Sequence, residues 1–415
     1  MKKTELLSPA GTLKNMRYAF AYGADAVYAG QPRYSLRVRN NDFNKLEQLA
    51  QGIEEAHNLD KKFYLACNLL PHNVKLKTFI ADIAPIIKMR PDALIMADPG
   101  LIMTVREKWP EMPIHLSVQA NTMNTASVKF WKTIGLSRII LSRELSLDEI
   151  AEIRQECPEM ELEVFIHGAL CIAYSGRCLL SGYMNHRDAN QGSCTNACRW
   201  NYKVHCSNED YVLEEAKRPG EYMPILEDEN GTYIMNSKDL RAVQHVQRLM
   251  EIGIDSLKIE GRTKSHYYVA RATQVYRQAI DESAEGQSFN KGLMEELDKL
   301  ANRGYTEGFY RRHIPEDYQN YETGNSNNQR QQFVGEVIGY DESTELLDIE
   351  VKNRFSLGDE IELFTPEEKH SFVLEILQNK KGEKMSVAPG SGYQVRIRAP
   401  IAKHLDYGLL LRKIT

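Results

Sequence analysis

The chain has 415 residues, 42% apolar and 26% charged, and 52 Lys and Arg against 57 Asp and Glu leave a formal net charge of −5. This composition excludes a disordered, fibrous or membrane-spanning chain and predicts two or three domains, or one large barrel with an appendage. A mildly acidic balance argues against coating nucleic acid by bulk charge, but phosphate binding depends on where the cations sit, so a local basic patch stays open. The opening MKKTELLSPAG has lysines with no apolar stretch behind them, and no run approaches the roughly 18 apolar residues of a membrane span, so a cytoplasmic protein without a membrane partner is expected.

Short aliphatic and β-branched runs alternate with amphipathic stretches through the first half. Strands are predicted at 3–8, 24–29, 61–67, 92–97, 113–118, 137–142 and 161–167, with an eighth at 254–260. They are mostly apolar rather than alternating, as suits parallel strands buried on both faces. Between them helical stripes recur. In 43–55, Phe43, Leu46, Leu49, Ala50 and Ile53 share one face. Eight strand–helix units in about 250 residues are what a (β/α)8 barrel of TIM type requires. The rival, an open doubly wound sheet, calls for a glycine-rich turn after the first strand, whereas SPAGT has one glycine.

The barrel domain is expected to span 1–285, with a Cys-rich insertion at about 168–232 after the seventh strand. Asn230-Gly231 between two strand-like runs predicts a tight hairpin. The stripe Leu240, Val243, Val246 and Leu249 predicts a helix over 237–251, and the last barrel helix covers 264–284. Residues 286–330 read as a polar, tyrosine-rich connector with a short helix near 292–302. From 331 to 415 the runs FVGEVIGY, LLDIEV, DEIELF, SFVLEIL, YQVRIRAP and GLLLRK predict a small antiparallel β-barrel domain.

Five of the seven cysteines fall between 171 and 206. An odd number without a secretory leader makes a poor disulfide framework. Cys171, Cys178, Cys194 and Cys198 are candidate metal ligands, since four thiols in glycine- and asparagine-rich backbone suit zinc or an iron–sulfur cluster. The absence of a CxxC pair tilts the spacing modestly towards the cluster. The plainer alternative is buried free thiols.

Active sites of (β/α)8 barrels sit at the C-terminal ends of the strands. The residues there are Ser8, Gln31, Asn68, Asp98, Gln119, Arg143, His167 and Glu260 with Arg262, enough polar groups to line a pocket over the mouth. His167, Glu260, Gln119 and Asp98 are the catalytic candidates. Asn68, Arg143, Lys258, Arg262 and Arg37 are the binding candidates. His167 suits a proton carrier or an anion donor, and equally a satisfied structural histidine. KIEGRTKS at 258–265 sets Lys258, Glu260, Arg262 and Lys264 around the eighth strand, where such barrels often bind phosphate. Arg33, Arg37 and Arg39 beside Tyr34 suit stacking and pairing with nucleic acid or a carboxylate, or simply a surface loop.

ELLSPAG, GADAVYAG, HLSVQAN, HGALC with YSGRCLLSG, NACRW, SLKIEGR and NRGYTEGF together resemble the collagenase-like peptidase family, U32, over essentially the whole chain. The likeness is strongest to its bacterial tRNA-hydroxylating members. It implies oxygen-independent, prephenate-dependent hydroxylation of the wobble uridine to 5-hydroxyuridine, with the tRNA anticodon loop and prephenate as partners and an electron-transfer partner possible. It also implies a 4Fe–4S cluster on Cys171, Cys178, Cys194 and Cys198 beside the barrel mouth. Two alternatives belong to other classes: a metal-dependent peptidase, for which the sequence holds neither HExxH nor GxSxG, and a non-catalytic RNA-binding subunit with a structural cluster.

Overall fold

Leu6, Val27, Leu65, Leu94, Leu116, Ile139, Val164 and Leu257, one from each predicted barrel strand, are all buried, and pairing those strands is what buries them. The computed structural model describes residues 3–36, 42–170, 238–311 and 331–414 apart from 303, 402 and 404, with short stretches between 177 and 232. Strands β1 (Glu5–Pro9), β2 (Ala26–Gly30), β3 (Lys62–Cys67), β4 (Ala93–Met96), β5 (Ile114–Leu116), β6 (Arg138–Ile140) and β7 (Glu161–Ala169) come in chain order. Between them lie helices α1 (Leu13–Ala21), α2 (Leu46–Asn58), α3 (Asn73–Lys88), α4 (Pro99–Lys108), α5 (Thr125–Thr133) and α6 (Leu147–Glu156). Thr12, Asp98, Asn124 and Ser146 start four of these helices by accepting a backbone N–H, and Ser146 forms a reciprocal box with Glu149.

After β7 the chain leaves the barrel. Strands β8 (Tyr202–Ser207), β9 (Asp210–Glu215) and β10 (Tyr222–Ile225) make an antiparallel sheet. In β11 (Glu227–Asp228) and β12 (Gly231–Thr232), Asp228 pairs with Gly231, so a hairpin forms close to the expected place but with Gly231 in the second strand rather than in the turn. The chain re-enters through β13 (Asp239–Arg241), α7 (Val246–Ile252), β14 (Ser256–Ile259) and α8 (His266–Ala284), then runs through α9 (Gly292–Asp298) and β15 (Tyr305–Thr306). Strand β14 pairs in parallel with both β1 and β7, which closes an eight-stranded parallel barrel. The helix predicted over 237–251 is shorter. Its first turn is β13, because Leu240 is held in a ladder between Gly168 of β7 and Thr306 of β15. Backbone pairing on two sides outweighs a helical stripe. No helix among the described residues is long and apolar enough to cross a membrane.

The C-terminal region comprises β16 (Gln331–Asp341), β17 (Leu346–Val351), β18 (Phe355–Ser356), β19 (Glu360–Phe364), β20 (Lys369–Val373), β21 (Leu377–Asn379), β22 (Val387–Ala388), β23 (Gln394–Ile397) and β24 (Leu409–Lys413). The expected small β-barrel is not formed. Seven strands make an open antiparallel sheet in the order β20-β19-β24-β16-β17-β23-β21, and among the described residues no ladder joins β20 to β21. Closure needs a strand number, tilt and stagger that bring the two edges together, which strand-like periodicity does not specify. At the β20 edge Lys369 binds Glu296 on α9 at 2.8 Å, a charged side chain of the kind that guards an open edge.

Alternation along β24 joins the two regions. Leu409 and Leu411 pack with Phe364 into the barrel's apolar core, whereas Leu410 packs into the sheet's own core with Val334, Ile349 and Leu363. Around this seam, Tyr22 donates its hydroxyl to the carbonyls of Phe364 and Tyr407 at 3.1 and 2.9 Å. Gln274 donates to those of Thr365 and Pro366, both at 3.1 Å.

Candidate active site at the barrel mouth

Four charges inside the strand runs occupy the barrel interior. Glu5 on β1 accepts from Arg138 on β6 at 2.6 Å, from Tyr64 at 2.7 Å and from Ser256 at 3.0 Å. The same guanidinium reaches Glu163 on β7 at 3.2 Å, and Glu163 in turn binds Lys258 on β14 at 2.8 Å. Glu163 is wholly buried, and Arg138 and Lys258 are nearly so. Burial pushes the Glu5 carboxyl up, but Arg138 with its hydrogen bonds outweighs that and holds it below the usual carboxylate range. Burial lowers the Lys258 ammonium, with Glu163 opposing. An alternating ladder of charge thus runs through an interior that aliphatic layers commonly fill. Its signal in the sequence is a charge in register with apolar interior positions, as Glu163 is with Phe165.

At the top of the ladder four of the predicted residues converge on two rings. Lys258 Nζ lies 4.3 Å from the centre of the Tyr28 ring and 5.4 Å from that of Phe165. The Arg143 guanidinium stacks over Phe165 at 3.9 Å, and that of Arg262 lies 5.7 Å from the Tyr28 ring centre. Arg143 is 3.7 Å from Glu260, whose carboxylate also lies 3.4 Å from the Tyr28 hydroxyl. Gly30 makes room for Arg262, because a Cβ there would sit 2.3 Å from a guanidinium nitrogen. Gly168, with a φ of +105°, lets β7 pass the Glu260 carbonyl, which a Cβ would meet at 2.5 Å.

Asn68 and Gln119 join this rim through the backbone. Arg262 donates to the Leu36 carbonyl at 3.4 Å, the Leu36 N–H donates to Asn68 at 3.2 Å, and Asn68 donates to the Ser117 hydroxyl at 3.2 Å. The Gln119 N–H donates to that same hydroxyl at 3.3 Å, while its own buried side-chain oxygen has no hydrogen-bond partner among the described residues. Three cations (Arg143, Lys258, Arg262) therefore face two carboxylates (Glu163, Glu260) around aromatic and amide groups. This balance suits an anionic ligand, and paired arginines suit carboxylates in particular.

The other predicted residues lie elsewhere. Asp98 caps α4 by accepting the Leu101 N–H at 2.9 Å, and Gln31 accepts the N–H groups of Arg33 and Tyr34 at 2.6 and 2.8 Å. Ser8 bonds Thr273 on α8 at 2.8 Å, so it faces the helix layer. Arg33 pairs with Asp82 on α3 at 2.6 Å, and Arg37 and Arg39 lie outside the described residues.

His167 is displaced from the mouth group by an irregularity in the β7–β14 ladder, where Lys258 pairs with Phe165 but Ile259 pairs with His167. The extra residue turns the imidazole into a cage of tyrosines. Its ring centre is 5.7 Å from Tyr268, 5.5 Å from Tyr276 and 5.6 Å from Tyr305. Burial, reinforced by Lys264 and Arg241, pushes its pKa down to about 3 from an ordinary 6.5. The folded protein therefore refuses a proton that the unfolded chain accepts below 6.5, so stability is complete above 6.5 and is lost as pH falls towards 3. Wild type should lose about 2 kcal/mol through this residue between pH 7 and 5, and His167→Asn should remove that share. Urea midpoints at the two pH values check this; equal pH slopes for the two proteins would contradict it.

The metal centre expected from the sequence is not found among the described residues. Among the described residues no group of three or more His, Cys, Asp or Glu side chains could hold a metal ion. Cys178 is the one member of the quartet described and is half-buried, while Cys171, Cys194 and Cys198 lie outside the described residues. A thiolate site needs its sulfurs converging on one point, and the described residues bring no such set together at the mouth or elsewhere. The free thiols of Cys67 and Cys157 are buried singly.

Comparison with known proteins agrees with this architecture. The family model for peptidase family U32 matches residues 11–320, and that for the peptidase family U32 C-terminal domain matches residues 329–412. The tRNA hydroxylation protein P of Escherichia coli (strain K12) is 60% identical over 100% of this chain and 98% of its own length. The tRNA hydroxylation protein P1 of Bacillus subtilis (strain 168) is 38% identical over 93% of this chain and 90% of its own. A 23S rRNA 5-hydroxycytidine synthase of Escherichia coli is 29% identical over 98% of this chain and 60% of its own. With matches that span both the barrel and the C-terminal sheet, the chain belongs to peptidase family U32.

Proposed function

We propose that this chain is a tRNA-modifying enzyme that hydroxylates the wobble uridine to 5-hydroxyuridine, using prephenate, at the mouth of the barrel. The observation that carries this reading is identity of 60% over the full chain with a tRNA hydroxylation protein. The chemistry of the mouth supports it. Prephenate is a dicarboxylate, and Arg143 and Arg262 flank Tyr28 and Phe165 where each guanidinium can take one carboxylate. Lys258 adds a third cation beneath, held upright by Glu163. Glu260, between Arg143 and Tyr28, is placed to exchange a proton with a ligand above the rings. The anticodon loop is single-stranded, so a pyrimidine can be turned out of its stack and laid against such a platform.

The test is nucleoside mass spectrometry of tRNA from a bacterium deleted for its own homologue and complemented with this chain. Restored 5-hydroxyuridine-derived nucleosides are expected. Arg262→Ala and Arg143→Ala should each reduce product formation about 10- to 100-fold, the loss of one charge-assisted contact. Purified Arg262→Ala should bind prephenate more weakly by a similar factor. No restoration by the wild-type chain would defeat the reading.

A further inference from the structure

A cleft of about 530 Å³ opens where the barrel meets the C-terminal sheet, within the roughly 300–1,000 Å³ of small-ligand pockets. Lys264 and Tyr267 line it from the start of α8, Gln332 and Phe333 from β16, Asn353 from the turn after β17, and Arg412 from β24. Phe333, half-buried, stacks on Tyr267 with ring centres 5.4 Å apart and planes within 11°. Arg412 donates to the Gln332 side chain at 2.8 Å, with Asp359 3.8 Å from its other terminal nitrogen. The walls thus combine a flat aromatic pair, amides that both donate and accept, and cations from both domains. That is the donor set of a nucleotide site: a ring to stack a base, amides for its edge and cations for its phosphate.

One turn of the chain links the cleft to the mouth. Arg262 and Lys264 are two residues apart on the turn between β14 and α8, so their Cα atoms are at most about 7 Å apart. One reaches towards Tyr28 and the other lines the cleft. A nucleotide next to a base held at the mouth is therefore within reach of the cleft.

We infer that the cleft holds a nucleotide of the RNA strand adjacent to the target pyrimidine, with its phosphate on Lys264 and Arg412 and its base on Phe333. The inference rests on the RNA-acting reading above and deepens it, because it assigns the C-terminal sheet half of the RNA site. The cleft then sets which flanking nucleotide accompanies the target.

Fluorescence anisotropy with a labelled anticodon stem–loop RNA, over a range of salt concentrations, tests this on the full chain. Lys264→Ala with Arg412→Ala should weaken binding at least 10-fold and flatten the dependence of log affinity on log salt by about two. Phe333→Ala should weaken binding about 5- to 100-fold without changing the salt slope. Asn353→Ala, at the cleft edge, gives a variant with little packing at stake and should cost several-fold. Unchanged affinity and slope in the double variant would overturn the cleft assignment while leaving the RNA reading intact. Failure of the wild-type chain to bind the stem–loop would strike the RNA reading itself. Tight binding of free uridine monophosphate, competed by the cleft substitutions while the stem–loop is unaffected, would make the cleft a small-nucleotide site and also overturn the inference.

Discussion

Arg138→Met is expected to destabilise the barrel by about 3–5 kcal/mol, measured as a drop in the urea midpoint of its unfolding. Arg138 is the cation shared by Glu5 at 2.6 Å and Glu163 at 3.2 Å, and its side chain is 4% exposed. Removing it leaves two buried carboxylates with one fewer partner each, and less of their desolvation cost is then compensated. Lys258 binds only Glu163 of the pair, so it cannot stand in for Arg138 at Glu5. Arg138→Lys should recover part of the loss, because one ammonium can satisfy one carboxylate but lacks the planar fork that reaches both. The variant with Glu163→Leu and Lys258→Met together should be far milder than either single change, since it removes a buried pair rather than stranding one charge. Equal losses for the double and single changes would show that the ladder acts as packing and not as charge.

Arg271→Met is expected to uncouple the C-terminal sheet from the barrel at a similar cost, about 3–5 kcal/mol. Its fully buried guanidinium donates to Glu362 of β19 at 2.7 Å and to Glu296 of α9, and stacks over Phe364 at 4.4 Å. Lys299 and Lys369 complete the cluster around Glu296 at 2.6 and 2.8 Å. Limited proteolysis should cut the variant between the two regions, and its melting should split into two transitions where wild type shows one. The same cluster gives the seam an acid limit. Burial raises the Glu296 carboxyl, but its three cations bring it down to about 2. Its contribution is therefore complete above the ordinary carboxylate range and is lost as pH falls through that range towards 2. The wild-type transition should split in acid as the variant's does near neutrality. A single transition in both conditions would remove the cluster from the account of the seam.

The sheet's openness and the metal question show where reading residues in order stops. The short apolar runs LLDIEV and GLLLRK identify strands β17 and β24 to within a residue, because strand propensity is a local property of the chain. Whether the outermost strands meet is a matter of stagger and tilt summed over the whole sheet. Cysteine spacing likewise states only that thiols are near in sequence. Convergence on a metal requires the loop's path, and the described residues hold no such convergence.

The barrel itself was legible. Its eight strands lie at the predicted places because a strand buried on both faces must be written as a continuous apolar run. The rim residues Asn68, Gln119, Arg143, Glu260 and Arg262 were equally visible, since position at a strand end follows from the order of elements. Sequence alone thus determined which polar groups stand at strand ends. Only the tertiary structure decided which of them meet. One irregular pairing between β7 and β14 turns His167 away into tyrosines, and Asp98 is spent on a helix start. Only the closed barrel brings Glu5, Arg138, Glu163 and Lys258, from four strands as far as 253 positions apart (258 against 5), into one ladder. Side-chain direction depends on register and closure, and both are set by contacts between residues that the chain keeps far apart.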